Sequence, residues 1–339
     1  MLSALEKLTI FNNPLEEVVL SETHFANLSS LTFVDMGETF LTIWVPPFHL
    51  DELRASTCKL NGQFPKWLKT QKNLTWLELS NSKIQGVLPK WFHNFLSFLD
   101  AGENNLSGEV PTQIVPELQI LRLRNNKLKG SIPHQLCSLS KLKILDLGHN
   151  YLTGTIPNCL SNLTTMKTVL EDYNYPPVAN KIDLNNIKEI LHGIELEYTS
   201  NLGLLVNIDL SCNKLVGSIP DGITNLSYLL SLNISYNQLS GQIPRNIGGL
   251  KSVISLDLSR NKLSGSIPTS LGAITSLESL DLSYNNLSGE IPTGSQLQTF
   301  NDPSIYAGNP YLCGDPLPKK CGSGGRQPRQ PRRRQRGQA

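Results

Sequence analysis

Three aspartates, Asp209, Asp257 and Asp281, stand in matching words of the sequence, "NIDLS", "SLDLS" and "SLDLS". On adjacent strands such carboxylates come within about 5 Å of one another, the arrangement of an acid/base pair. They are also the consensus residue of a repeated phrase, and that structural explanation is the stronger one. No other catalytic signature accompanies them. GxSxG, HExxH, a phosphate loop and a kinase motif are all missing, and the six histidines are scattered. Six cysteines are present, Cys58, Cys137, Cys159, Cys212, Cys313 and Cys321. None forms a CxxC pair and none stands near a histidine at zinc spacing, so neither a metal site nor a cofactor is expected. The sequence reads as that of a non-catalytic protein.

The elements that position these residues are set by a repeat. Asn213, Asn237, Asn261 and Asn285 are 24 residues apart, as are Asn126 and Asn150, and Asn104 precedes Asn126 by 22. Around each the text reads LxxLxLxxNxLxGxIP, as in "LESLDLSYNNLSGEIP". Ser82 and Cys58 take the asparagine place in earlier units, and degenerate units surround Asn13 and Thr39, for about eleven in all. In LxL the leucines face one side of a short strand and the residues between them face the other. The asparagine amide can satisfy backbone groups where the strand ends. The glycine eases the next turn, and the proline suits an irregular edge because it has no N–H to place. One unit cannot bury its leucines; a stack can. The spacing therefore predicts an α/β-type repeat solenoid, a leucine-rich-repeat superhelix. Its parallel sheet would line the concave face, with short 3-10 or irregular segments on the convex side.

The LxGxIP ending makes the chain resemble plant extracellular leucine-rich-repeat proteins over roughly residues 50–321, and it is the 24-residue plant-type repeat with a right-handed superhelix that this implies. "GNPYLCGDPLPKKC" (308–321) is similar to the family's C-terminal cap, which implies a Cys313–Cys321 disulfide closing the last repeat. Cys137 and Cys159 lie on successive repeats and are expected to pair across layers, while Cys58 and Cys212 are expected to stay outside disulfides. Disulfides imply an oxidising compartment. Seven N-x-S/T sequons, at Asn27, Asn73, Asn105, Asn162, Asn225, Asn233 and Asn286, are consistent with glycosylation.

The rhythm breaks once. Asn150 to Asn213 is 63 residues, one repeat plus 39. The insertion, about 164–204, holds "EDYNYPPVANKID" and then "NNIKEILHGIELEY", whose alternating apolar positions can pair as strands. Plant receptor-like proteins of the cell-surface immune type share this layout of repeats, island, four repeats and cap. "GIELEYTSNLGLLVNIDLSCNKLVGSIP" and "GEIPTGSQLQTFNDPSIYAGNPYLCG" match them closely in style. The resemblance implies that the island, with Tyr173, Tyr175, Glu195 and Tyr198, is a recognition or gating element; a tolerated surface loop is the alternative.

Function must be argued from exposed side chains, not from the fold. After the island the concave positions are bland, mostly Ser and Asp, with Tyr236, Arg260 and Tyr284 the larger groups. Before it they vary: Phe33, Glu52 and Arg54; Trp76 and Glu78; Phe98, Asp100 and Glu103; Arg122 and Arg124; Asp146 and His149. Phe33, Trp76 and Phe98 share a register column and are expected to be exposed aromatics flanked by charge, material for a ligand-binding hot spot. The resemblance assigns the post-island repeats, through Tyr236, Arg260 and Tyr284, to a SERK-type co-receptor kinase, beside an adaptor receptor-like kinase. The ligand would be an extracellular peptide, protein or glycan.

The organisation expected is repeats over 1–163, the first two or three degenerate and without an N-terminal cap, the island over 164–204, four regular repeats over 205–300, a cap over 301–321 and a tail. The tail, 322–339, carries six arginines and no acid. The rest of the chain is left mildly acidic, with 24 basic against 28 acidic side chains. This low-complexity tail is expected to be disordered. Phosphate contacts are conceivable for it, but without aromatics or a folded partner module no nucleic acid is expected. An altered reading frame or an expression remnant explains it better. No run approaches the roughly 18–20 apolar residues of a membrane span, and "MLSALEKLTIF" does not read as a signal peptide. The expectation is thus the C-terminal part of a plasma-membrane receptor ectodomain, outside the cell, whose membrane span is missing from this chain. A secreted polygalacturonase-inhibitor-like protein and a truncated, non-signalling decoy are the alternatives.

Overall fold

The computed structural model describes residues 3–10, 19–20, 22–36, 40–41, 46–60, 62–89, 96–168, 187–191, 194–198, 205–294 and 296–322. Eleven short strands form one all-parallel sheet, in chain order, from Lys7–Thr9 through Phe33–Asp35, Glu52–Arg54, Trp76–Glu78, Phe98–Asp100 and Ile120–Arg122 to Ile144–Asp146. It continues with Asn207–Asp209, Ser231–Asn233, Ser255–Asp257 and Ser279–Asp281. The island does not break it: Ile144–Asp146 pairs in register with Asn207–Asp209, Leu145 opposite Ile208. Within the island, Ile187–Leu191 and Ile194–Tyr198 pair antiparallel, as the alternation predicts. Tyr173 and Tyr175 lie outside the described residues, as does the tail from residue 323.

The leucines of LxL pack into one continuous core, with Leu123, Leu147, Leu210, Leu258 and Leu282 fully buried. The convex side is built of one-turn 3-10 helices, including Lys66–Thr70, His134–Ser138, Asn158–Asn162, Asp221–Asn225 and Thr269–Ala273. Each follows a proline (Pro65, Pro133, Pro157, Pro220, Pro268) whose φ of −62 to −72° sets the entry without needing an N–H partner. The glycines at this place in the repeats take positive φ, from 75° at Gly62 to 93° at Gly86, a conformation side-chain-bearing residues rarely adopt.

An asparagine ladder ties layer to layer. Asn150 Oδ1 accepts the Leu128 N–H of the preceding repeat at 3.0 Å, and its Nδ2 donates to the carbonyls of Leu123, Leu147 and Gly148. Asn213, Asn237, Asn261 and Asn285 repeat the pattern. Where Ser82 replaces asparagine, its hydroxyl still donates across the layer to the Ala55 carbonyl at 2.7 Å. Cys58 does the same toward the Met36 carbonyl. Cys137–Cys159 and Cys313–Cys321 are disulfide-bonded, while Cys212 remains a thiol, pushed up by burial and then by the Asp209 carboxylate.

Among the described residues the cap finishes the ladder without adding a strand to the concave sheet, although its Tyr311–Cys313 pairs in parallel with Asn286–Glu290. Asn309, 24 residues beyond Asn285, accepts Leu287 N–H at 3.0 Å and donates to the Leu282 and Tyr306 carbonyls, both at 3.0 Å. Tyr306 stands where a leucine would and is 1% exposed; burial pushes its hydroxyl to about 12.

Candidate functional site

The concave sheet presents its between-leucine side chains in columns, because strands in exact register stack equivalent residues at one strand spacing. One column runs Phe33, Glu52, Trp76, Phe98, Ile120, Ile144 and Asn207. The expectation of open aromatics is corrected here. Trp76 and Phe98 are 5% and 2% exposed, and their rings stack face to face at 3.6 Å and 5°. With Ile120, Ile144 and Leu205 they make a second apolar cluster, separate from the leucine core. Neighbouring apolar groups on this column hide one another, which single-repeat reasoning overlooks. Phe33 stays half-buried, and the Arg54 guanidinium carbon lies 5.7 Å from its ring centre and 5.4 Å from that of Trp76.

The next column carries charge: Asp35, Arg54, Glu78, Asp100, Arg122, Asp146 and Asp209. Arg54 Nε pairs with Glu52 at 2.7 Å, Arg122 with Asp100 at 3.2 Å, and Arg124 Nε with Asp146 at 3.7 Å. Asp100, Arg122 and Asp146 are buried rather than open to solvent. Burial raises Glu52 and Glu78 above the usual carboxylate range; Asp100 pushes Glu78 further, and Ser56, donating at 2.6 Å, opposes the shift. Asp146 is pushed to about 7 by burial and then by the carboxylate of Asp209, against Arg124 and Arg122. His149 is lowered by burial and then by Arg124. Of these groups Glu103 and His149 are exposed, on backbones with φ 54° and 52°.

The aspartates weighed for acid–base work have another task. Asp100, Asp146, Asp209, Asp257 and Asp281 each use Oδ1 to accept the backbone N–H two residues on, at 2.8–3.1 Å, and Asn233 does likewise. This turn-closing bond explains the consensus LDLS. The serines expected to face solvent, Ser211, Ser231, Ser235, Ser255, Ser259 and Ser283, are buried in the floor of the sheet, at most 6% exposed. Small side chains between longer neighbours are covered by them. Among the described residues no group of three or more His, Cys, Asp or Glu is placed to hold a metal ion.

Beyond the island the floor is plain and its rim is not. Tyr236, Arg260 and Tyr284 project from equivalent places just before the ladder asparagines, with φ 52–53°. Both tyrosines are 51% exposed and Arg260 is exposed. The side chains of Glu195 and Tyr198 lie outside the description, although their strand is placed. Six sequons, Asn27, Asn73, Asn105, Asn162, Asn225 and Asn286, are exposed. Asn233 is half-buried within its strand, its Oδ1 held by Ser235 and its Nδ2 donating to Asp209 at 3.3 Å. Sequence reasoning missed Asn309, Tyr306 and Gly308, although the 24-residue step pointed to each; it missed Ile120 and Ile144 because they look like ordinary core residues.

Comparison with known proteins agrees with this architecture. Leucine-rich-repeat family models match residues 116–169 and 244–287, and again 73–95, 204–226 and 228–250. The receptor-like protein EIX2 of Solanum lycopersicum is 41% identical over 96 residues, 26% of this chain and 9% of that protein. The ectodomain of the Arabidopsis receptor kinase HAESA, solved with an extended IDA peptide hormone, is 29% identical with a TM-score of 0.66, over 90% of this chain and 45% of that one. The plant peptide hormone receptor RGFR1, solved with RGF2, is 30% identical with a TM-score of 0.59, over 81% and 43%. The chain is a leucine-rich-repeat solenoid, similar over these stretches to plant receptor-like proteins and receptor ectodomains. It spans about a tenth of the curated relatives it matches and less than half of either receptor ectodomain.

Proposed function

We propose that the chain is a non-catalytic recognition module of a receptor-like protein on the outer side of the plant plasma membrane. Its pre-island repeats would bind an extracellular ligand, and its post-island repeats and cap would recruit a SERK-type co-receptor kinase, with an adaptor receptor-like kinase as second partner. One observation carries the reading: the concave sheet runs unbroken across the island but changes character there. Before it lies a ribbon of ion pairs and stacked aromatics that the repeat does not require. After it lies a Ser/Asp floor with a raised Tyr–Arg–Tyr rim. Two surfaces of different chemistry on one rigid sheet suit two partners. The receptor neighbours, solved with peptide hormones, support a peptide as the ligand.

Of the charged groups on the concave face before the island, Glu103 is open to a ligand, and Arg124 is partly so beside its pair with Asp146. A deeply paired group such as Arg122 would instead hold the shape of the ribbon, since breaking a buried pair strands a charge. The test is co-receptor capture: the immobilised chain is offered a SERK-type ectodomain with and without size-fractionated extracellular plant fluid. Ligand-dependent capture that Glu103→Lys or Arg124→Glu weakens supports the reading. Inhibition of a polygalacturonase without any co-receptor capture would replace it.

A further inference from the structure

Tyr236, Arg260 and Tyr284 form a three-layer stack. The guanidinium carbon of Arg260 lies 4.8 Å from the ring centre of Tyr236 and 4.1 Å from that of Tyr284. Residues two repeats apart are separated by about 10 Å at the strand spacing, so the gap between the tyrosines accepts one planar group, and Arg260 fills it. The stack has an end stop. The equivalent place in the cap is Gly308, with φ +71°, and a Cβ there would meet Tyr284 at 2.7 Å. Tyr284 therefore lies against bare backbone, and the cap sets the position of the stack.

A guanidinium held over two ring faces keeps its N–H groups for a further partner. Among the described residues no hydrogen bond or ion pair engages the Arg260 side chain. The neighbouring Asp257 and Asp281 turn their Oδ1 atoms to the Ser259 and Ser283 N–H groups instead. An exposed guanidinium with its plane already fixed loses little freedom on binding. Its fork of parallel donors matches a carboxylate.

We propose that this stack is a carboxylate clamp that receives an aspartate or glutamate side chain of the protein docking on the post-island repeats. The clamp deepens the co-receptor assignment above and, for the identity of its partner, rests on it. The tyrosine faces hold the arginine plane and pack beside the acid's methylenes, while the arginine edge binds its oxygens. Lysine cannot replace Arg260, because a point charge offers neither a stacking plane nor a paired edge.

Two measurements test the clamp. In the first, ¹⁵N-arginine-labelled protein is titrated with the blocked peptide acetyl-Gly-Glu-Gly-amide. One Nε–Hε resonance, absent from the R260K spectrum, should move and saturate in the millimolar range, and the Gln analogue of the peptide should leave it still. An Arg260 resonance that stays still, or moves no more than the other arginines, overturns the clamp. In the second, binding to a SERK-type ectodomain in the presence of the size-fractionated extracellular plant fluid is followed by interferometry. R260K and R260Q should each weaken it at least tenfold with an unchanged melting curve, Y236F and Y284F less than twofold, and G308A several-fold together with a lowered melting temperature, because its Cβ strains the cap. Wild-type binding that R260Q leaves intact refutes the clamp and keeps the co-receptor reading. A saturating Arg260 shift without any ectodomain binding keeps the clamp and refutes that partner.

Discussion

Replacing Asn213 by alanine tests the ladder where it matters most, across the island. The side chain bridges residues far apart in sequence: Oδ1 accepts Leu152 N–H at 2.9 Å, and Nδ2 donates to the carbonyls of Leu147, Leu210 and Ser211 at 3.0–3.1 Å. Not all of these groups would be orphaned. Leu147 O also accepts from Asn150 Nδ2, Leu210 O from Asn237 Nδ2, and Ser211 O from His149 N–H. The one group left without a partner is the N–H of Leu152, a fully buried residue. An orphaned buried donor costs about 1–3 kcal/mol, and with the lost net value of the amide donors the total is about 2–4 kcal/mol. Asn213→Asp should be worse, since it turns acceptors toward three carbonyls. Urea unfolding gives the free energy, and hydrogen exchange locates it. Leu152 N–H should lose protection while Leu128 N–H, held by Asn150 at 3.0 Å, keeps it. Exposed Asn225→Ala should change stability by less than about 0.5 kcal/mol. A loss below that same value for Asn213→Ala, or equal protection at Leu152 and Leu128, would refute the reasoning.

Three further outcomes are expected. Glycopeptide mapping of protein made through a secretory pathway should find glycans among the six exposed sequons and none at Asn233, whose amide is held in the sheet. Replacing Cys313 and Cys321 by serine should lower stability by about 2–4 kcal/mol and loosen the cap first, seen as exchange at Leu287 N–H, which Asn309 holds. Stability should fall as pH rises from about 4 to about 7. Asp146 is near 7 in the folded chain and, like any exposed aspartate, near 4 when unfolded. The folded state thus binds more protons in that window, and the free energy of unfolding declines with pH. Asp146→Asn keeps the acceptor for Gly148 N–H at 3.1 Å and should flatten this slope in urea titrations; an unchanged slope would place its origin elsewhere.

The sequence by itself determined the architecture, because each repeat states its local physics in full. LxL sets the strand, N the ladder, G the positive-φ turn, and P the start of the 3-10 segment. Asn237 does what any ladder asparagine must, wherever it stands. The strand pair inside the island was also legible from alternation alone, and the two disulfides followed from the repeat and the family resemblance. What only the tertiary structure decided is which side chains reach solvent. Trp76 and Phe98 occupy positions that read as exposed, yet they are covered, because lateral stacking joins residues 22 apart that no local pattern connects. Likewise Arg122 reads as a ligand-ready charge and proves to be paired with Asp100 on the preceding strand. The Tyr–Arg–Tyr stack was visible only as three large residues in a bland column. Its order, its spacing and its stop against Gly308 come from stacking the repeats at a fixed distance, a length that no single repeat contains.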